Sequence, residues 1–184
     1  ERKDNAIISE IKPSSPSQGI IKTNFDLAQV AIDMKNGGAI GISVLTEPKH
    51  FNGSLENLKK VRQTVKFPIL MKDIILDPIQ LEAASRTGAN VVLLIKAIFD
   101  RDYCQVSLNN MIKKAHLKNL EVLLETHNKD EFNNAIQTDA DLVGINNRNL
   151  GTLKIDLQTT EEILKKKEIK DKIIVSESGI RTKF

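Results

Sequence analysis

Along all 184 residues, short apolar runs rich in Ile, Val and Leu alternate with longer amphipathic stretches; the runs are nearly continuous in apolar character, and each ends in polar or charged residues. These three observations predict an α/β fold, a (β/α)8 TIM barrel with about seven of its eight strands present in this chain. Strands that are apolar on both faces belong to a parallel sheet covered by helices. A doubly wound sheet is the alternative, but it gathers its ligand groups at one crevice, whereas a barrel draws them from many strand ends onto one face.

The elements follow in order. Residues 6–12 (AIISEIK) form the first strand, stopped by Pro13, and Ser15-Pro16-Ser17 make a stiff turn after it. A helix over 26–36 ends at Gly37-Gly38. The strand 39–46 (AIGISVLT) leads to a helix over 54–65, and 68–73 (PILMKD) leads to a helix over 78–87 that opens at Asp77-Pro78 and closes at Gly88. Strands at 90–95 (NVVLLI), 120–125 (LEVLLE), 141–146 (DLVGIN) and 172–177 (KIIVSE) follow, with helices between them near 101–118, 129–137 and 157–168.

Composition sets the function classes. With 40% hydrophobic and 28% charged residues, the chain suits one globular domain, and no stretch nears the roughly 18 apolar residues of a membrane span. The start, ERKDN, lacks signal-peptide character, so the cytoplasm is the expected location and a membrane partner is not expected. Cys104 is the single cysteine, expected to be a passive helix residue; it excludes an internal disulfide and a cysteine metal cluster. His50, His116 and His127 have no ligand spacing, so surface or capping roles are expected and no metal site. A net charge of +3, with scattered lysines and 4% aromatics, argues against nucleic acid and suits an anionic small molecule.

Chemistry gathers at the strand ends. Side chains two apart on a strand share a face, so Glu10 and Lys12 point with Ile8, Lys72 with Leu70, Glu125 with Leu123, Asn146 with Gly144 and Glu177 with Val175. Turned inward, two lysines, three carboxylates and an amide meet at the barrel mouth. Each such charge costs several kcal/mol to bury unpaired, so they must compensate one another or a ligand, and their pKa values are expected to shift toward the working range.

The motifs SEIKPSSPSQG, ISVLTEPKHFNGSLENL, PILMKD, VVLLI, LLETH, GINNRNL and VSESGI resemble, in order and over almost the whole chain, those of the indole-3-glycerol-phosphate synthase family. The resemblance implies a carboxy-lyase of tryptophan biosynthesis. Such an enzyme converts 1-(2-carboxyphenylamino)-1-deoxyribulose 5-phosphate to indole-3-glycerol phosphate, carbon dioxide and water without metal or organic cofactor. It also implies association with other tryptophan-pathway enzymes. By resemblance, Lys72 is the general acid, Glu125 serves the acid/base steps, and Lys12 handles the substrate carboxylate and dehydration, with Glu10 and Asn146 positioning them. Glu177 and Ser178 match site residues of the seventh strand, and Ser178 with Gly179 matches half of a phosphate cradle. Ser15 and Ser17 resemble the carboxylate-binding mobile loop, Phe51, Leu93 and Leu150 the apolar wall around the aromatic ring, and Arg148 the arginine of the sixth-strand motif.

Pro13, Ile74 and Asn90 depart from the family pattern, which has a basic residue, an aromatic and an aspartate there; the change at Asn90 is expected to be structural. The fold typically takes about 250 residues. Residues 1–184 are therefore expected to be a single, incomplete barrel domain lacking a leading helix and the eighth strand, which carries the other half of the cradle. Two other readings are a related barrel such as phosphoribosylanthranilate isomerase, which leaves Lys12, Lys72 and Glu125 together unexplained, and an inactive phospho-ligand-binding barrel fragment.

Overall fold

The computed structural model describes residues 6–15, 19–20, 26–165, 167, 169 and 171–180. Strand β1 (Ile8–Ile11) is followed by a two-stranded hairpin, β2 (Ser14–Ser15) and β3 (Gly19–Ile20), and then by α1 (Leu27–Asn36). Next come β4 (Gly41–Leu45), α2 (Pro48–Phe51), α3 (Leu55–Thr64), β5 (Ile69–Lys72), α4 (Ile79–Thr87) and β6 (Val91–Ile95). The chain continues with α5 (Lys96–Asp100), α6 (Leu108–His116), β7 (Glu121–Thr126), α7 (Lys129–Ala135), β8 (Leu142–Asn146), α8 (Gln158–Leu164) and β9 (Ile173–Glu177).

Seven strands pair in parallel in the order β1-β4-β5-β6-β7-β8-β9, each beside the preceding strand of the wall with the β2-β3 hairpin left out of the sheet, as a barrel wall requires. Among the described residues the sheet is open, with β1 and β9 at its edges. Alternation divides the strand residues between two layers. Outward-facing Ile11, Ile42, Val44, Ile69, Met71, Val92, Leu94, Val122, Leu124, Val143 and Ile145 pack under the helices in one continuous core. The inward face holds a small cluster of Leu70, Leu93 and Leu123, and the charged positions follow one step further along the same strands.

On the opposite side, Arg62 of α3 ties the strand starts together. Its guanidinium donates to the carbonyls of Gly88 and Phe67, at 2.9 and 3.0 Å, and to Asn90 Oδ1 at 2.7 Å, while Asn90 Oδ1 also accepts the Ile69 N–H at 3.0 Å. Asn90 thus has a structural role, as expected of a position far from the strand ends that carry chemistry.

Three local features differ from the sequence-based expectation. Glu47 accepts the N–H groups of Lys49, His50 and Phe51 while Pro48 opens the turn, producing the short helix α2. Of the helix expected over 101–118 only Leu108–His116 forms, as α6; the short helix α5 precedes the expected start, and Asp102 turns into the left-handed region at φ 55° in the loop between them. Cys104 therefore lies in the connecting loop rather than on a helix, and burial pushes its thiol pKa up. The serine-rich turn is in part a hairpin, whose β2 packs on α2 while Ser14 Oγ donates to the His50 carbonyl at 3.4 Å.

Candidate active site

The period-two pattern at the strand ends builds the site. Lys72, the last residue of β5, reaches across the open face to two carboxylates: Nζ lies 3.0 Å from Glu10 Oε2 of β1 and 3.4 Å from Glu177 Oε2 of β9. Glu10 also takes Lys12 Nζ on its other oxygen, Oε1, at 2.8 Å, while the Ser43 hydroxyl donates to Oε2 at 3.4 Å. Strands at opposite edges of the sheet are thus joined through one ammonium group. Glu125, 3% exposed at the end of β7, completes the cluster next to Asn146 of β8.

Gly144 makes the room that Glu177 needs. A Cβ at Gly144 would come within 2.1 Å of Glu177 Oε1, a buried oxygen with no hydrogen-bond partner among the described residues. Gly144→Ala is expected to destabilise the protein by about 2 kcal/mol through overpacking, and most of that cost should vanish in the Gly144→Ala, Glu177→Ala double variant. Urea titration of the two single variants and the double checks this. Additive losses would show that the carboxylate is not what Gly144 accommodates.

The electrostatics separate the groups sharply. Burial alone would raise Glu10, but Lys72 and Lys12 outweigh it and hold its pKa down to about 2. Burial disfavours the charged form of Lys72, yet Glu10, Glu177 and Glu125 raise its pKa above the ordinary lysine range. Glu177 goes the other way: burial and the neighbouring charge of Glu125 push it up to about 7 despite Lys72. Glu125, although buried, is lowered by His127 and Lys72 with help from the Asn146 amide. The expected shift toward the working range therefore holds for Glu177 but fails for Lys72 and Glu10, because in a mixed cluster the paired charges stabilise each other while the surplus carboxylate takes the penalty.

The β8 and β9 ends are cross-linked. Asn146 Oδ1 accepts the Ser178 hydroxyl at 2.9 Å and the Arg148 N–H at 3.0 Å. Asn147 donates to Ser176 Oγ at 3.0 Å and to the Ser178 carbonyl at 3.2 Å. Ser178 and Gly179 both adopt left-handed backbone, at φ 66° and 83°, and a Cβ on Gly179 would strike Ile155 Cγ2 at 2.6 Å. Glycine is required there on both counts.

The structure thus brings Glu10, Lys12, Lys72, Glu125 and Glu177 into one cluster, with Asn146 and Ser178 beside it. Leu93, 2% exposed, packs with Leu70 and Leu123 as part of the floor beneath the charges. Ser15 is buried in β2, and Phe51 ends α2, the helix that the hairpin packs on. Arg148 donates to the Leu153 carbonyl at 3.0 Å, within its own loop, and Leu150 is 46% exposed. Ser17 lies outside the described residues.

His127 is the residue that sequence reasoning missed. Expected at the surface or in a cap, its side chain is instead 9% exposed, with Nε2 3.1 Å from Glu125 Oε1, close enough for an ion pair though not aligned as a hydrogen bond. The available signal was the same alternation that grouped the other charges: Leu123, Glu125 and His127 are successive positions on one face.

Comparison with known proteins bears directly on this arrangement. A family profile described as indole-3-glycerol phosphate synthase matches residues 1–183. Among curated relatives, the indole-3-glycerol phosphate synthase of Methanocaldococcus jannaschii is 49% identical over 181 residues, covering 97% of this chain and 65% of its own length. That of Oceanobacillus iheyensis is 41% identical over 177 residues, covering 96% of this chain and 66% of its own. The chain therefore spans about two thirds of the length of these relatives. Among solved structures, an N-acetylmannosamine-6-phosphate 2-epimerase from Clostridium perfringens superposes with a TM-score of 0.68 at 16% identity, covering 97% of this chain and 78% of its own, a likeness of fold alone. The profile match along nearly the whole chain and the identity to these relatives give one conclusion: this chain belongs to the indole-3-glycerol phosphate synthase family.

Proposed function

We propose that the full-length protein acts as a carboxy-lyase in tryptophan biosynthesis. It closes the indole ring of 1-(2-carboxyphenylamino)-1-deoxyribulose 5-phosphate and releases carbon dioxide and water to give indole-3-glycerol phosphate. The observation that carries this reading is the Lys72 ammonium held between Glu10 and Glu177, 3.0 and 3.4 Å away, at the mouth of a barrel wall that also presents Glu125.

The chemistry asks for a carbonyl made electrophilic, a carboxylate held until it leaves, and a hydroxyl made into a leaving group. Lys72 suits the first task. Its raised pKa keeps it an ammonium before reaction, and the alkoxide that forms when the aromatic carbon attacks the carbonyl is basic enough to take its proton. Glu177, titrating near 7 beside it, suits returning a proton to that lysine. Lys12 suits the substrate carboxylate. After carbon dioxide leaves, Lys12 suits donating the proton with which the hydroxyl departs as water, while Glu125, kept ionised, suits the base that removes the carbon-bound proton. Asn146 holds Ser178, next to Gly179, where a phosphate would find half of its cradle.

Phe51, Leu93 and Leu150 complete the reading as apolar surface for the aromatic ring, with Ser15, Ser17 and Arg148 toward the anionic ends of the substrate. Expressed in a cell lacking this activity, the full-length gene should restore growth without tryptophan, and its Lys72→Met version should not. Failure of the wild-type gene, with soluble protein present, would overturn the proposal.

A further inference from the structure

Behind Glu125 stands a buried arrangement that the proposed reaction does not use. The His127 ring lies between two carboxylates, Nε2 3.1 Å from Glu125 Oε1 and Nδ1 3.4 Å from Glu131 Oε2. Glu131 is itself pinned: Oε2 accepts the backbone N–H of His127 at 2.9 Å, Oε1 accepts Asn128 Nδ2 at 2.8 Å, and its own N–H is capped by Asn128 Oδ1 at 2.9 Å. These bonds lock the first turn of α7 against the end of β7. The cost of burying an imidazole and two carboxylates this way is hard to assign to helix capping, since Asn128 and Glu131 already satisfy the cap without the ring.

We infer that His127, held by Glu131, is a positioning residue for Glu125: the ring fixes the carboxylate's orientation and keeps it a proton acceptor. The inference rests on the reading of Glu125 as the base of the proposed reaction. An imidazolium between two carboxylates orients the inner one through the outer one, which leaves Glu125 aimed at the barrel mouth and ready to accept.

The groups facing the pair favour this assignment. On the barrel side Glu125 meets Lys72 of β5, Glu177 of β9 and the uncharged Asn146 of β8, with Glu10 of β1 beyond Lys72. On the helix side, Lys96 of α5 is ion-paired with Asp100, and Lys129 and Glu162 line the shallow cleft against His127. Lys72 is shared among three carboxylates, whereas the His127 ring is shared between only Glu125 and Glu131, with Glu125 the nearer. Burial lowers the His127 pKa, but the two carboxylates more than offset this and raise it to about 9, so the ring is cationic at neutral pH.

The sign of the effect follows. His127 and Lys72 hold Glu125 below its ordinary value of 4.5 against burial, so removing the ring's charge must move the Glu125 titration upward. The test uses the full-length protein labelled with ¹³C at glutamate side-chain carboxyls, with Glu125→Gln assigning the signal. The expected result is that His127→Gln moves the Glu125 titration to higher pH and the acid limb of the kcat profile moves with it. Glu131→Gln, which leaves the ring in place, should move both the same way by less. A Glu125 signal that titrates at the wild-type pH in both variants overturns the inference. The carboxyl titration needs no turnover, so an inactive wild-type protein would count against the proposed reaction while this measurement still decides the role of His127.

Discussion

Lys72→Met in the full-length protein is expected to lower kcat by about 10²-fold or more, with a much smaller change in KM. Methionine keeps the length and apolar stem of lysine but removes the proton and the charge that binds Glu10 and Glu177 across the sheet. The transition state then lacks its donor at the carbonyl oxygen, while the groups that grip the two anionic ends of the substrate remain. The substitution also leaves two carboxylates facing each other without their shared cation, so Glu10 should no longer be held near 2. Steady-state kinetics with indole fluorescence checks the first effect. A kcat within about threefold of wild type would remove Lys72 from the role of acid.

Glu125→Gln carries the second large effect, about 10²-fold to 10⁴-fold in kcat, the range of a positioned acid or base. The amide occupies the same space beside the floor of Leu93 and Leu123 and should leave the fold intact, so substrate should still bind. What is lost is the proton acceptor that burial opposes and that His127 and Lys72 maintain. The measurement is a rapid-mixing experiment that follows binding and indole formation separately. Unchanged indole formation after binding would show that the proton goes elsewhere.

Why some of this could be read from residues alone, and some not, has physical causes. The inner wall strands stand out because both of their faces are largely buried, which makes each a run of Ile, Val and Leu that few loops can imitate, and the edge strands β1 and β9, only partly buried, keep the same apolar character. The charged end positions were legible for the same reason, since Glu10, Lys72, Glu125 and Glu177 interrupt apolar strands at matching steps of the two-residue period. Helix α2 was not, because it rests on one side chain, Glu47, gathering three N–H groups rather than on periodicity. The late start of α6 was not legible either, because the loop before it holds a left-handed residue, Asp102, that no apolar pattern marks. His127 was missed because it stands one residue past the end of β7, where the alternation that grouped the strand-end charges was not carried on, although Glu125 and Glu131 are only two and four residues away in the sequence. The pKa directions were misjudged for Lys72 and Glu10 because the outcome depends on how many carboxylates share one ammonium, which is a matter of distances.

The most direct measurement mixes the purified full-length protein with 1-(2-carboxyphenylamino)-1-deoxyribulose 5-phosphate carrying a ¹³C label in the carboxylate, and follows indole fluorescence and labelled carbon dioxide together. The account predicts that both rise at the same rate, with one carbon dioxide released for each indole formed. Substrate that binds and is returned unchanged, or is isomerised with its carboxylate intact, would contradict it.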